Sequence, residues 1–359
     1  MPEINGQFSG QDASQALARQ IEQAYHNHTV LNITGGGSKA FYGQHTQGEQ
    51  LDATRHHGII NYQPTELVIT ARAGTRLSDI EKVLRENRQM LGFEPPGFSP
   101  HATLGGTIAC NFSGPRRAYR GAARDYVLGS RIITGKGEIQ QFGGEVMKNV
   151  AGYDVSRLMC GAMGTLGLIL DVSLKVIPLP EAERSLLLEC SLEQALNYMH
   201  RWVQQSLPLS ASAYLDGKLY IRLASNEGGI QQAQQIIGGD TIDENFWHLL
   251  KEQQLAFFNT EKPLWRLSLA SNSPALKLNG ETLYEWGGAL RWLRSDESAD
   301  KIRHTVETLG GHAIFFKNNT QQIDPFHELS PGVQALHRQL KNAFDPANIL
   351  NPVRMYADI

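Results

Sequence analysis

The chain has 359 residues, 41% hydrophobic and 19% charged, with a formal net charge of −3. That length predicts two domains, each with its own apolar core. The near-neutral balance, without a basic stripe, excludes a nucleic-acid-binding surface, and three scattered cysteines (Cys110, Cys160 and Cys190) exclude a disulfide framework or a zinc site.

The first 25 residues are polar and lack the charged-then-apolar pattern of a signal peptide. No apolar run reaches the roughly 18 residues needed to span a bilayer. The most apolar stretch, "TLGLILDVSLKVI", is interrupted by Asp171 and Lys175 and alternates like a strand. A cytoplasmic protein is expected, peripheral to a membrane only through a partner.

In chain order, residues 13–28 read as an amphipathic helix with Ala13, Leu17, Ile21 and Ala24 on one face. Strands follow at "TVLNI", "LVITARA", "SRIITGKGEIQQF" and "GLILDVSLKVI", with a helix over Leu77–Arg88 and a hairpin turn at Lys136-Gly137. Pro178-Leu179-Pro180 closes this glycine-dense part. Beyond it the composition shifts: all five tryptophans (202, 247, 265, 286 and 292) lie between residues 185 and 330. Strand "SLLLEC", helix 193–206, the strand pair "SAYLDG" and "KLYIRLAS", helical "IQQAQQIIGG", strands "LWRLSLA" and "ETLYEWG", helix 297–309 and strand "HAIFFK" follow. This order predicts an antiparallel α+β sheet domain. A last helix, 331–344, runs into "FDPANILNPVRMY".

Directly after the first strand stands "ITGGGSK", residues 33–39. It lacks the spacer of a P-loop and the spacing of a dinucleotide-binding turn. Successive glycines can point several backbone N–H groups into one concavity that holds phosphate oxygens; alone, an ordinary tight turn is the simpler reading. The run is not alone. "HATLGGTIACNFSG" (101–114) sets Gly105-Gly106 at the start of a small-residue helix, an anion-ready terminus. "GAARDYVLG" (121–129), "KNVAGYD" (148–154) and "GAMGTLGLI" (161–169) complete the series.

The ordered set GGG-S-K, L-G-G-T-I-A-x-N-x-S-G, G-x-x-R-D-Y-V-L-G, K-N-x-x-G-Y-D and G-T-L-G-x-I resembles the FAD-binding domain of the vanillyl-alcohol-oxidase/PCMH flavoprotein family. The tail "FDPANILNP" resembles the 2-hydroxyacid dehydrogenase branch, and within it the FAD-binding subunits of bacterial glycolate-oxidising complexes. The resemblance implies an α+β fold: a PCMH-type FAD-binding domain of two subdomains over residues 1–180, an antiparallel α+β cap over 181–330, and a C-terminal segment, 331–359, returning to the FAD domain. It implies that Gly35, Gly36, Gly37, Ser38 and Lys39 carry backbone amides to the FAD pyrophosphate, and that side chains there would hold the cofactor off. Leu104, Gly105, Gly106 and Thr107, with Asn111, Ser113 and Gly114, would line a second loop. Gly121 and Val127 would belong to a third, where Arg124-Asp125 form a structural ion pair. Gly164, Gly167 and Ile169 would lie near the adenine and ribose.

Two departures stand out. Covalent-flavin relatives carry a histidine beside the glycine run or a cysteine before the second loop; here stand Ser38 and the "FSPH" segment around His101, so FAD is expected to be non-covalent. Related catalytic subunits carry a glutamate where this chain has Met163.

Oxidising a 2-hydroxy acid needs a cation for the substrate carboxylate and a base for its hydroxyl. The H-x-G-D-G-N segment of catalytic relatives is missing. "RHHG" at 55–58 lies in the wrong region, and His312 lacks an acidic partner and reads as structural. Tyr284, Trp286 and Arg291 in "YEWGGALRW" are the remaining cap candidates, with a packed strand pair the favoured alternative; no metal ligand set is expected. The resemblance implies a glycolate dehydrogenase subunit that also accepts D-lactate, passes electrons to a non-NAD acceptor, and works with a homologous FAD-containing catalytic subunit and an iron–sulfur subunit, peripherally at the inner membrane. Two other readings stand beside it: a free-standing FAD oxidoreductase of another substrate, and a non-catalytic assembly subunit whose FAD is vestigial.

Overall fold

Helix α1 (Ser14–Asn27) opens the computed structural model, which describes residues 10–144, 154–318 and 323–357. Leu17, Ala18, Ile21 and Ala24 form one buried stripe, and the helix ends where His28 turns left-handed at φ 54. It covers the parallel pair β1 (Leu31–Thr34) and β2 (Glu49–Asp52). Leu17, Ile21, Leu31, Leu51, Leu168 and Leu350 are members of that first core.

A second core lies on a five-stranded antiparallel sheet. Its strands are β3 (Ile59–Gln63), β4 (Val68–Arg72), β6 (Val127–Ile133), β7 (Ile139–Gly143) and β8 (Leu168–Lys175), in the order β3-β4-β8-β6-β7. A small pair, β5 (Gln89–Met90) and β9 (Ile177–Pro178), stands apart. Helix α2 (Leu77–Glu86) buries Leu77, Ile80 and Leu84, and helix α3 (Leu104–Cys110) buries Leu104 and Ile108.

Strand β8 is buried along nearly its whole length because it serves both cores. Leu168 and Leu170 join the first; Val172 and Leu174 join the second. A register shift against β6 at Arg131/Ile132 flips the alternation between them. Asp171, the charge inside this apolar strand, is paired with Arg131 and accepts from His56 Nε2 at 2.9 Å.

By its contacts the chain divides into two units. The first holds the chain through Ser113, Ala122–Leu179 and the segment from Glu328; the second holds Pro180–His327 and the short strap Gly114–Gly121. The strap thus groups with the second unit, although its residues sit inside the stretch whose motifs resemble an FAD domain.

The second unit is one eight-stranded antiparallel sheet. Its strands are β10 (Ala182–Glu189), β11 (Leu209–Leu215), β12 (Lys218–Ser225), β13 (Asp240–Ile242), β14 (Leu264–Ser268), β15 (Glu281–Glu285), β16 (Leu290–Arg294) and β17 (His312–Lys317). They lie in the order β13-β10-β12-β11-β15-β16-β14-β17. Helices Leu192–Gln204 and Glu227–Ile237 supply one apolar cluster, around Trp202 and Ile230. Ala299–Glu307 supplies another, around Trp265 and Ile302.

Candidate functional site

The triglycine turn leaves the end of β1 and leans on the loop that enters α3. A Cβ on Gly36 would lie 1.5 Å from the His101 carbonyl oxygen, and one on Gly35 would lie 2.8 Å from Thr103 Oγ1. These two glycines therefore admit neighbouring protein, which corrects the expectation that all three exist to let a cofactor approach. Gly37 differs. Its φ is +71 and nothing stands within 4 Å of its Cβ position, so it makes the turn and leaves open space. Thr103 caps α3, its Oγ1 accepting from Gly106 N at 3.3 Å, while Gly105 lets the helix rest on Ala73.

The turn, the α3 entrance and the loop before β8 line a cleft that opens to solvent. Gly35, Gly36, Gly37, Ser38 and Lys39 form one wall, Gly105 and Gly106 another, and Gly164, Gly167 and Ile169 a third. A second, open cleft shares Gly35, Gly36 and Thr103 and continues along Thr75, Arg76 and His101. The remaining expected residues stand outside the lining. Leu104 and Thr107 lie on the buried face of α3. Asn111 ends that helix at φ 53. Ser113 Oγ accepts from Ala123 N at 3.0 Å, Gly121 terminates the strap helix at φ 100, and Val127 starts β6 in the second core. Gly114 offers its carbonyl to Trp286 within the second unit.

Asp125 accepts from Ala122 N at 2.8 Å and so closes the turn of helix Ala123–Tyr126. The expected pair with Arg124 is not formed. The K-N-x-x-G-Y-D segment lies outside the described residues except for Asp154, which caps helix Val155–Leu158.

The cleft is positively charged. Lys39 Nζ donates to Ser38 Oγ at 3.2 Å and to Gly97 O at 3.4 Å, over the Phe98 ring. Arg354 donates to Gln44 O at 2.7 Å and to Ala40 O at 3.2 Å. Burial pulls the Arg354 pKa down, and burial pushes the nearby Cys110 thiol up; the guanidinium stays charged at any physiological pH. On α3 and at its end, Thr107 Oγ1 and Asn111 Oδ1 are buried without a hydrogen-bond partner. A glycine turn, two cations and a glycine-walled slot fit a dinucleotide such as FAD. Open space at the slot also argues against the vestigial-cofactor reading.

Asn32, Thr46, Met163, Asn351 and Arg354 also line the cleft and were not anticipated as lining residues. For the last two the signal was the tail motif, which implied a return to the FAD domain without saying which of its residues would reach the cleft.

The cap candidates are corrected by burial. Tyr284 and Arg291 are 1% and 0% exposed. Arg291 donates to Gly288 O at 3.0 Å, and to Ser273 O and Pro274 O at 2.6 Å each, with its guanidinium over the Tyr284 ring. Trp286 is also buried, its indole N–H on Gly114 O at 3.0 Å. The alternation is that of the packed pair β15–β16.

Residues 12–143 match the family model of the FAD binding domain, and 325–355 match that of the FAD linked oxidases, C-terminal domain. The glycolate oxidase subunit GlcE of Escherichia coli is 48% identical over 348 residues, 97% of this chain and 99% of that protein. The chain belongs to the FAD-linked oxidases, alongside this subunit. Within the family, the GlcD subunit of Bacillus subtilis is 33% identical over 143 residues, 40% of this chain and 30% of that protein. A D-lactate dehydrogenase of Anaerostipes hadrus is 32% identical over 166 residues, 45% of this chain and 34% of that protein. Among solved structures, an alkyldihydroxyacetonephosphate synthase superposes with a TM-score of 0.66 at 15% identity, covering 94% of this chain and 75% of that one; this likeness speaks for the fold alone. Most residues lining the cleft fall within the two matched stretches, and no helix among the described residues is long and apolar enough to cross a membrane.

Proposed function

We propose that this chain is the FAD-binding subunit of a glycolate dehydrogenase complex, which oxidises glycolate, and D-lactate as its near neighbour, to the 2-oxo acid. Near-full-length likeness to a glycolate oxidase subunit carries the reading. When bound, FAD supplies the two-electron acceptor, and the electrons pass on to an acceptor other than NAD. The chain's own part would be to hold and shield the cofactor: amides of Gly36, Gly37 and Ser38 would hold the phosphates, Lys39 would balance their charge, and Gly105, Gly164 and Gly167 would keep the slot free of side chains. FAD is held without a covalent bond. The partners in this reading are a homologous FAD-containing subunit and an iron–sulfur subunit, and through them the chain is peripheral to the inner membrane.

Tyr284 and Arg291 are consumed in packing, so the isolated chain is expected to bleach its flavin slowly with glycolate. Co-expression with the homologous and iron–sulfur subunits is expected to restore rapid reduction. Fast anaerobic bleaching of the isolated chain by glycolate would favour a free-standing oxidoreductase instead.

A further inference from the structure

The segment 349–354 runs beside β1. Leu31 N donates to Ile349 O at 2.8 Å and Asn351 N to Leu31 O at 3.1 Å. Asn351, 5% exposed, then uses both ends of its amide: Oδ1 accepts from Ile33 N at 2.7 Å, and Nδ2 donates to Met163 O at 2.8 Å. One side chain thus joins the approach to the triglycine turn with the glycine loop before β8. Three residues later Arg354 grips the far side of the turn, through Gln44 O and Ala40 O, while its own carbonyl accepts from Gln44 N at 2.9 Å.

The tail is itself held rigidly. Asp345 accepts from Leu350 N at 2.8 Å, and Lys341 Nζ donates to Asp345, Leu350 O and Thr165 O at 2.7–2.8 Å. Asn351 and Val353 sit at φ 41 and 59, conformations that persist only where surroundings enforce them. Two glycines, Gly164 in the cleft wall and Gly43 in the loop after the turn, make room for the tail. A Cβ on Gly164 would lie 2.6 Å from Asn351 Nδ2, and one on Gly43 would lie 2.8 Å from Arg354 O.

We infer that residues 349–354 are a clasp that sets the spacing of the two glycine loops of the cofactor cleft, with Asn351 and Arg354 as positioning residues. This rests on the reading of that cleft as the FAD site. Precise placement of binding groups depends on such supports, and here they come from the opposite end of the chain.

The test uses the full chain, stripped of flavin, as wild type, Asn351→Ala, Arg354→Met and Arg354→Lys. Hydrogen exchange without cofactor reads the clasp directly: Asn351→Ala is expected to speed exchange at residues 31–34 and 162–165, and Arg354→Met at 40–46. Titration with FAD reads its consequence. Loss of the bridging hydrogen bonds is expected to weaken FAD about tenfold in each variant, at temperatures where the apo-proteins remain folded, with partial recovery in Arg354→Lys. Faster exchange with FAD affinity unchanged in both variants would overturn the positioning role and leave a merely structural tail. A wild-type chain that takes up no FAD would overturn the cofactor reading itself.

Discussion

A methyl group on Gly36 would sit 1.5 Å from a carbonyl oxygen, and one on Gly37 would touch nothing. The same three-letter run therefore predicts two different failures. Gly36→Ala forces apart two backbone segments and is expected to cost about 3 kcal/mol, in the range of overpacked cores, with loss of bound FAD as a consequence. Gly37→Ala keeps its space but holds a left-handed alanine, about 1 kcal/mol, so melting changes by a few degrees while FAD retention falls if the open space is the phosphate seat. Thermal melting and flavin content of the two purified variants check this; equal melting temperatures would refute the assignment of Gly36 to packing. Glycine runs announce themselves in a sequence, which is why the turn was legible. Their separate reasons were not, because His101 and Thr103 lie more than sixty positions away. Asn351 was harder still: its partner Ile33 is 318 positions distant, and no local pattern encodes such a contact.

At the scale of elements, long periodic segments were readable and short polar ones were not. Helices α1 and α2, the β6–β7 hairpin and the β11–β12 pair lie where apolar spacing puts them. Strand β2, "EQLD", buries only Leu51, and β13, "DTI", buries nothing, so neither carries an alternation to read. The strap Gly114–Gly121 shows how a polar bond can fix an element. Tyr119 Oη donates to Ser212 Oγ at 2.7 Å, and Trp286 reaches Gly114 O. Burial pushes the Tyr119 phenol up to about 12, the Ser212 bond opposing it. An acid whose folded pKa lies above its ordinary value of 10 stabilises the fold fully below pH 10 and ceases to do so as pH rises through 12. Melting temperature is thus expected to fall across that window, and less steeply in Tyr119→Phe. Identical slopes in the two proteins would show that this phenol is not coupled to folding.

For the whole molecule, the two units differ in what they contain. The first owns two apolar cores and a cleft between glycine loops, drawn from both ends of the chain. The second owns a continuous sheet whose conspicuous aromatic and cationic residues are absorbed in packing. Fold class and cofactor were legible because several motifs stand in a fixed order; the burial of Tyr284 and Arg291 was not, since it depends on strand register rather than composition. The claim on which everything else depends is that the first unit holds FAD without a covalent bond. It is tested most directly by purifying the full chain, recording its visible spectrum, precipitating it with acid and identifying the flavin in the supernatant. Stoichiometric FAD released intact into the supernatant is the predicted result. A colourless chain that takes up no FAD, or a flavin that stays with the precipitated polypeptide, would contradict it.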